Sequence, residues 1–299
     1  MSRLFRAIIF SVGCLLIANS CAKRPAKQIW TEFSGDKALA HVQALVDLGP
    51  RPPGSDAIVR ARAYLEEQLE SFGWKVREQA FSDQTPRGEM KFVNLIARFG
   101  SGSKPVFLLC SHYDTKIFDS FKFVGANDGG SSTGLLLELA RVLALDPQLA
   151  QRIELVFFDG EEAVENFSAT DGVYGSRHFA EELASDGSVK SFQGGILFDM
   201  VGDSSLDITL PPNSPSKITV GIFAAADALK FRNYFTYFDQ DITDDHSALN
   251  AVGVPVIDLI DFHYPPWHTA EDTMDKLSSR SLQIVGSVAA YYLAELAFK

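Results

Sequence analysis

The sequence has little cysteine, and this scarcity limits how the fold can be stabilised. It contains three cysteines in 299 residues, and two of them, Cys14 and Cys21, lie close to the N-terminus. Cys110 is therefore left without a partner in the remainder of the chain, which excludes an internal disulfide. Its surroundings, "VFLLC", indicate a buried strand in which the thiol acts as a small apolar side chain.

Positive charge is also scarce. Lysine and arginine together number 27 against 38 acidic residues, so the net charge is −11 and the pI is near 5.0. A nucleic-acid partner is not expected for such a chain, because binding the phosphate backbone requires a basic surface. The sequence lacks charge runs, low-complexity tracts and internal repeats, and its composition is typical of a globular protein.

The longest N-terminal apolar run, residues 7–17, is too short for a membrane span. Arg3 and Arg6 precede it and "ANSCAK" follows it, which is the pattern of a secretory signal. The small residues before Cys21 resemble a bacterial lipoprotein signal, in which that cysteine is lipidated; ordinary signal cleavage nearby is the alternative. We therefore expect export to the bacterial cell envelope, with a signal peptide (1–20), a tether (21–35) and a folded domain (36–299).

Helical and strand patterns alternate along the chain. The predicted helices cover 37–49, 55–72, 131–145, 174–184 and 278–298, and the predicted strands cover 74–81, 92–99, 106–114, 152–160, 194–202 and 254–261. This alternation predicts a single-domain α/β/α sandwich whose central sheet is mixed but mainly parallel and is flanked by helices. Ligands of such sheets bind beyond the carboxyl ends of the strands.

Acids and histidines follow nearly every predicted strand. They are His112, Asp114, Asp128, Glu161, Glu162, Asp199, Asp244, Asp245, His246 and His268. Any single member is more simply a helix cap or a surface group, but the repeated placement at one sheet edge favours a common role. A group of carboxylates without basic neighbours is self-repelling, and a divalent cation would neutralise it. Imidazole and carboxylate ligands predict zinc in a hydrolase-like site.

The adjacent pair Glu161 and Glu162 fits this interpretation. Neighbouring side chains that leave a strand point in different directions, so one carboxylate can bind the metal while the other acts as a general base. His41, His178 and His263 are interpreted as ordinary helix or loop residues.

Several motifs occur in an order that resembles the zinc aminopeptidase superfamily. They are "SHYDT", "VGANDGG", "FFDGEEA", "YGSRH", "FDMVG", "DDH" and "WHT". Within that superfamily, residues 37–299 are most similar to the animal-type glutaminyl-peptide cyclotransferases. The spacer between the Glu pair and "YGSRH", the "DDH" motif and Trp267 before His268 carry this closer resemblance.

The resemblance implies roles for individual positions. The implied zinc ligands are Asp128, Glu162 and His268. Glu161 corresponds to the general acid/base, and the acids that share its hydrogen-bond network are Asp199 and Asp244. The implied aromatic contacts to the substrate are Trp267, Phe167 and Tyr264.

The resemblance leaves two points undecided. Cyclotransferases commonly have a histidine near position 258, where this chain has Asp258, so the orientation of Asp244 is in question. His112 and Asp199 also complete the ligand set with which aminopeptidases hold two zinc ions. The sequence therefore leaves both one and two zinc ions open.

The implied reaction converts the N-terminal glutamine of a peptide to pyroglutamate and releases ammonia. One alternative is a zinc aminopeptidase in which Glu161 activates water, and another is a metal-retaining binding lipoprotein without activity. The expected partners are peptides with N-terminal glutamine, and the expected state is a monomer that contacts the membrane only through a lipid anchor.

Overall fold

The computed structural model describes residues 28–100 and 105–299, so the predicted signal peptide and most of the tether lie outside the described residues. The described strands are β1 (Trp74–Thr85), β2 (Gly88–Phe99), β3 (Phe107–His112), β4 (Ile153–Phe158), β5 (Gly194–Asp199), β6 (Ile208–Leu210), β7 (Phe235–Tyr237) and β8 (Val256–Ile260). The α-helices are α1 (Gly35–Val46), α2 (Asp56–Ser71), α3 (Ser132–Leu143), α4 (Pro147–Ala150), α5 (Tyr174–Asp186), α6 (Ser216–Ala228), α7 (Asp245–Ala251) and α8 (Ser279–Glu295). No helix in this part of the chain combines the length and the apolar character that crossing a membrane requires.

The eight strands form one mixed sheet in the order β1-β2-β4-β3-β5-β8-β6-β7. Its centre is parallel, because β3 pairs in parallel with β4 and β5, and β5 pairs in parallel with β8. The antiparallel pairs lie towards the edges, at β1–β2, β2–β4 and β6–β8. The carboxyl ends of β3, β4, β5 and β8 consequently meet at one edge of the sheet.

Helices cover both faces of the sheet, as the strand pattern predicted. Apolar residues of α1, α2, α3, α6 and α8 form the larger core on one face. On the other face, α5 and α7 pack against Cys110, Val156 and Val256 in a second core. Strands buried on both faces are nearly all apolar, which explains the continuous hydrophobic runs in the sequence. The α/β/α sandwich is confirmed, and Cys110 is a buried free thiol.

Several local predictions can be compared with the structure. The hydroxyl of Ser55 accepts a hydrogen bond from the Ile58 N–H at the start of α2, which confirms the predicted cap. The elements between residues 208 and 251 were not predicted. The two strands have three residues each and α7 has seven, too few for a clear period, whereas α6 with 13 residues is long enough for one and was missed.

The packed domain begins before residue 36. Residues Ile29–Thr31 form a 3-10 helix, and Ile29 and Phe33 are buried in the larger core. The phenyl ring of Phe33 occupies the space beside Gly286 of α8, where an added Cβ would lie 2.1 Å from the ring. The C-terminal part of the predicted 21–35 tether is therefore part of the fold.

Candidate metal centre and substrate cavity

The carboxyl edge of the sheet brings together two groups of metal-binding side chains that share Asp128. The first group is Asp128, Glu162 and His268, and the second is His112, Asp128 and Asp199. In each group the donor atoms lie within 4.8 Å of one another. Residues as far apart in the sequence as His112 and His268 thus form one compact centre.

In the first group, His268 Nε2 lies 3.3 Å from Asp128 Oδ2 and 3.2 Å from Glu162 Oε2. Burial alone would lower the pKa of His268, but the two carboxylates reverse this and raise it to about 10. Burial and the charge of Asp128 raise the pKa of Glu162 to about 7. A positive charge therefore stabilises the carboxylates of this group. Bound protons supply that charge in the metal-free protein, and a cation could supply it instead.

The first group also fits zinc by its chemistry. One imidazole and two carboxylates are common zinc donors, and three protein ligands leave a coordination position open for a substrate. Asp128 and Glu162 are buried, at 3% and 6% exposed, so the cation would be held in a largely water-free setting.

The second group is centred on His112, the last residue of β3. Its Nε2 lies 3.2 Å from Asp128 Oδ1 and 3.3 Å from Asp199 Oδ1. Its other ring nitrogen, Nδ1, lies 3.3 Å from Asp114 Oδ1, the kind of outer contact that fixes the orientation of a ligand histidine. The two oxygens of Asp128 thus face the two histidines separately.

The turn that presents Asp128 allows no side chain at the next position. Gly129 has φ +76°, and a Cβ there would lie 2.8 Å from the Asp114 carbonyl oxygen and 2.9 Å from His112 Cε1. Asp272 supports the same turn from the far side, because its carboxylate accepts hydrogen bonds from the Asn127 and Asp128 N–H groups.

Backbone hydrogen bonds also fix the glutamate pair beyond β4. The N–H groups of Glu161 and Glu162 donate to the two carboxylate oxygens of Asp114, at 3.2 and 3.3 Å. Burial, together with the nearby charge of Asp244, raises the pKa of Glu161 well above its ordinary value. Glu161 is therefore suited to hold and release a proton next to the metal-binding group.

A cavity of about 630 Å³ opens over this centre. Its described lining includes Glu161, Asp199, Asp244, Phe167 and Trp267. Phe167 and Trp267 are aromatic side chains with large exposed fractions, 47% and 42%. The Trp267 ring stacks on the His268 imidazole, with 4.2 Å between ring centroids and 26° between planes. An apolar rim thus borders a polar floor.

Of the predicted aromatic contacts, Tyr264 has a different setting. It is 3% exposed, and its hydroxyl donates to Asp272 Oδ1 at 2.8 Å. It is not among the described residues that line the cavity. Its hydroxyl instead contacts Asp272, the residue whose carboxylate supports the turn at Asp128.

Sequence reasoning assigned no role to several residues that hold the site together. Asp114 was noted only as an acid at a strand end, although it orients both His112 and the glutamate pair. Asp272 and Asp171 lie well away from the ends of the predicted strands, and Lys116 follows one but is neither an acid nor a histidine, so no local signal identifies the three. Lys116 Nζ donates to the Ala163 carbonyl oxygen and lies 3.7 Å from Glu162 Oε2.

The α/β sandwich gathers carboxylates and histidines at the carboxyl edge of its sheet, an arrangement that could hold a divalent cation. Residues 94–293 match the model of Peptidase family M28. The Glutaminyl-peptide cyclotransferase-like protein of Bos taurus is 31% identical over 280 residues, covering 82% of this chain and 72% of the relative. The chain therefore belongs to the glutaminyl-peptide cyclotransferases, within Peptidase family M28.

Solved structures agree with this family. The glutaminyl cyclase of Porphyromonas gingivalis superposes with a TM-score of 0.81 at 32% identity, covering 88% of this chain and 98% of that one. A Zn-dependent exopeptidase of Parabacteroides distasonis superposes with a TM-score of 0.79 at 26% identity, covering 88% and 98%. The fold is thus common to proteins described as cyclases and to a protein described as an exopeptidase.

Proposed function

We propose that this protein is a zinc-dependent acyltransferase that converts the N-terminal glutamine of peptides to pyroglutamate and releases ammonia. The observation that carries the proposal is the position of Glu161, a proton-holding carboxyl beside a three-residue zinc-binding group, under a cavity with an aromatic rim. The names of the relatives support the same reaction.

The proposed zinc ligands are Asp128, Glu162 and His268. A zinc ion held there would supply a Lewis acid that polarises the carbonyl of the glutamine side-chain amide. The remaining chemistry belongs to the side chains of the chain itself.

Glu161 moves the proton in the proposed reaction. The α-amine of the glutamine attacks the side-chain carbonyl carbon, Glu161 accepts a proton from that amine, and it then donates the proton to the departing ammonia. The nearby charge of Asp244 favours the protonated form of Glu161. This helps the carboxyl to retain the proton between the two transfers.

Trp267 and Phe167 hold the substrate in this proposal. A flat glutamine side chain between them would be kept in the compact conformation from which the amine reaches the amide carbon. The apolar rim would also exclude water, so that cyclisation is favoured over hydrolysis.

The second candidate function is that of a zinc aminopeptidase. The observation that favours it is the second donor group, His112, Asp128 and Asp199, because Asp128 could bridge two zinc ions there. We propose a single catalytic zinc in the first group, since Glu161 needs no bridging water for an intramolecular reaction.

A paired assay tests the two functions. The purified protein is offered a Gln-initiated peptide and a leucyl chromogenic amide in parallel. We expect ammonia and a cyclised product from the first and no released leucine from the second. Rapid release of leucine without cyclisation would refute the proposed function and favour the aminopeptidase.

We also propose that Cys21 is lipidated and that the exported protein is an anchored monomer. In Cys21→Ser the lipid acceptor is lost, so the protein should move from the membrane fraction to the soluble fraction. Retention of a full-length, unprocessed variant in the membrane would instead indicate that residues 7–17 act as the anchor. Light scattering of the detergent-solubilised protein measures the oligomeric state.

A further inference from the structure

Three side chains at the junction of α7 and β8 form a buried group of which the proposed reaction uses only Asp244. Asp244 is the N-cap of α7, His246 lies in its first turn, and Asp258 lies in the middle of β8. Each offers one donor atom, and these three atoms lie within 4.8 Å of one another. We call Asp244, His246 and Asp258 the α7–β8 cluster.

The polar atoms of the α7–β8 cluster are largely without hydrogen-bond partners. His246 and Asp258 are fully buried, yet neither ring nitrogen of His246 and neither carboxylate oxygen of Asp258 forms a hydrogen bond in the described structure. Asp244 Oδ2 is likewise unpartnered. His246 Nδ1 points at Asp258 Oδ2 from 3.6 Å, beyond hydrogen-bonding distance. Buried polar groups in folded proteins almost always have partners, so this arrangement requires an explanation.

No basic side chain balances the two carboxyl groups of the cluster. Among the described residues, neither Asp244 nor Asp258 forms an ion pair with a lysine or an arginine. Burial lowers the pKa of His246 to about 4, so the imidazole is neutral, and burial raises the pKa of Asp244 and of Asp258 well above the ordinary value, which favours their protonated form when no cation is bound. A neutral imidazole is, however, the form that binds a metal. Two carboxylates and a divalent cation together would leave the buried group with no net charge.

Asp258 supplies the second carboxylate of the cluster. Together with Asp244 and His246 it completes a set of one nitrogen and two oxygen donors.

We propose that the α7–β8 cluster binds a structural divalent cation of the zinc class, separate from the centre around Asp128. The nitrogen donor argues against calcium and magnesium, which take oxygen ligands, and favours a transition metal. The ion would join the N-terminus of α7 to β8 and fix the position of Asp244, which lines the cavity.

Metal counting tests this proposal without reference to activity. The purified full-length protein is loaded with Zn²⁺, freed of loosely bound ions by gel filtration, and analysed by mass spectrometry for zinc per chain. Asp258→Asn keeps the shape of the side chain but removes its charge, and it should contain one zinc equivalent fewer than the unmodified protein. Asp245→Asn is the matched control, because this neighbouring buried aspartate lies outside the donor group, and its zinc content should be unchanged.

A complementary variant separates this ion from the catalytic one. Glu162→Gln should lose zinc from the centre around Asp128 and keep the equivalent that depends on Asp258. If Asp258→Asn contains as much zinc as the unmodified protein, the cluster is neutralised by protons and the proposal is wrong. Since a variant can fail to fold, anomalous scattering at the zinc edge from crystals of the unmodified, zinc-loaded protein gives an independent answer. A peak between Asp244 and Asp258 supports the site, and its absence overturns it.

Discussion

Glu161 and Glu162 are neighbours in the sequence but differ in their surroundings. Glu162 contacts His268 and belongs to the first donor group. The pKa of Glu161, in contrast, is raised mainly by burial and by the charge of Asp244. The backbone N–H groups of both residues are held by Asp114, so the division of roles depends on which way each side chain leaves the backbone.

The two glutamates can be separated experimentally. Glu162→Gln should lose metal and turnover together, because a neutral amide is a poorer zinc ligand. Glu161→Gln should retain the metal and lose roughly 10²–10⁴-fold in turnover, the usual contribution of general acid–base catalysis. Zinc analysis and kinetics of both variants measure this. A metal-free Glu161→Gln alongside a metal-retaining Glu162→Gln would reverse the roles.

Trp267 combines exposure with close contact to a proposed metal ligand. Its ring stacks on His268 and lies 5.2 Å from that of Phe262, measured between centroids. Because 42% of the residue is exposed, its removal leaves no large buried cavity, and a major loss of stability is not expected.

Trp267→Ala should therefore lower turnover on Gln-initiated peptides strongly, while zinc content and melting temperature stay near those of the unmodified protein. Tyr237→Ala, which removes an exposed aromatic side chain that does not line the cavity, is the control and should have little effect on turnover. A large drop in the melting temperature of Trp267→Ala, with a matched loss of all activity, would show a structural role instead.

At the scale of elements, the segment between β4 and α5 depends on one aspartate. The carboxylate of Asp171 accepts hydrogen bonds from the N–H groups of Val164, Glu165 and Asn166, and from the Tyr174 hydroxyl. Burial opposes its ionisation, but these donors outweigh burial and lower the pKa of Asp171. The segment held in this way carries Phe167 to the rim of the cavity.

Asp171→Asn should loosen this segment, because an amide group places donors against backbone donors. We expect a loss of about 1–3 kcal/mol in the free energy of unfolding. Turnover on Gln-initiated peptides should fall roughly 10-fold or more as Phe167 and the glutamates lose their alignment. Urea unfolding and steady-state kinetics measure both effects.

Asp146→Asn is a matched control for this prediction. Asp146 also accepts two backbone hydrogen bonds, at the start of α4, but does not line the cavity. It should lose stability without a comparable loss of turnover. Equal catalytic losses in the two variants would mean that Asp171 affects activity only through general stability.

For the molecule as a whole, we expect the acidic centre to make the free energy of unfolding depend on both metal binding and pH. In the metal-free protein, burial and Asp128 raise the pKa of Glu162 from 4.5 to about 7. Between these values the folded state keeps a proton that the unfolded chain has lost, so this contribution to stability falls as the pH rises through the window. The pKa of His268 is also raised, so its contribution to stability likewise falls as the pH rises, but at higher pH.

Metal removal should consequently destabilise the protein more at pH 8 than at pH 5.5. Thermal melting of chelator-treated and zinc-reloaded protein at both pH values measures the difference. In metal-free Glu162→Gln the melting temperatures at the two pH values should differ less, because the Glu162 carboxyl is absent. Equal effects of chelation at both pH values would contradict the ionisation behaviour described for this centre.

The fold class and several donors of the candidate metal centre follow from the amino-acid sequence alone. Apolar strands and amphipathic helices alternate because both faces of a central sheet must be buried, and this fixes which strand ends meet. The acids and histidines that follow those strands are recognisable because their positions repeat from strand to strand. His112, Asp128 and Glu162 were identified in this way.

The contacts that support that centre, in contrast, become apparent only in the folded chain. Asp272 accepts the N–H of Asp128 from 144 positions away, and Asp114 accepts the N–H groups of the glutamate pair across nearly 50. A contact between a side chain and a distant backbone group leaves no period and no motif in the sequence. For the same reason, the sequence does not reveal that Tyr264 is buried or that His246 lies close to Asp258. Each of these features depends on how separate elements pack rather than on neighbouring residues.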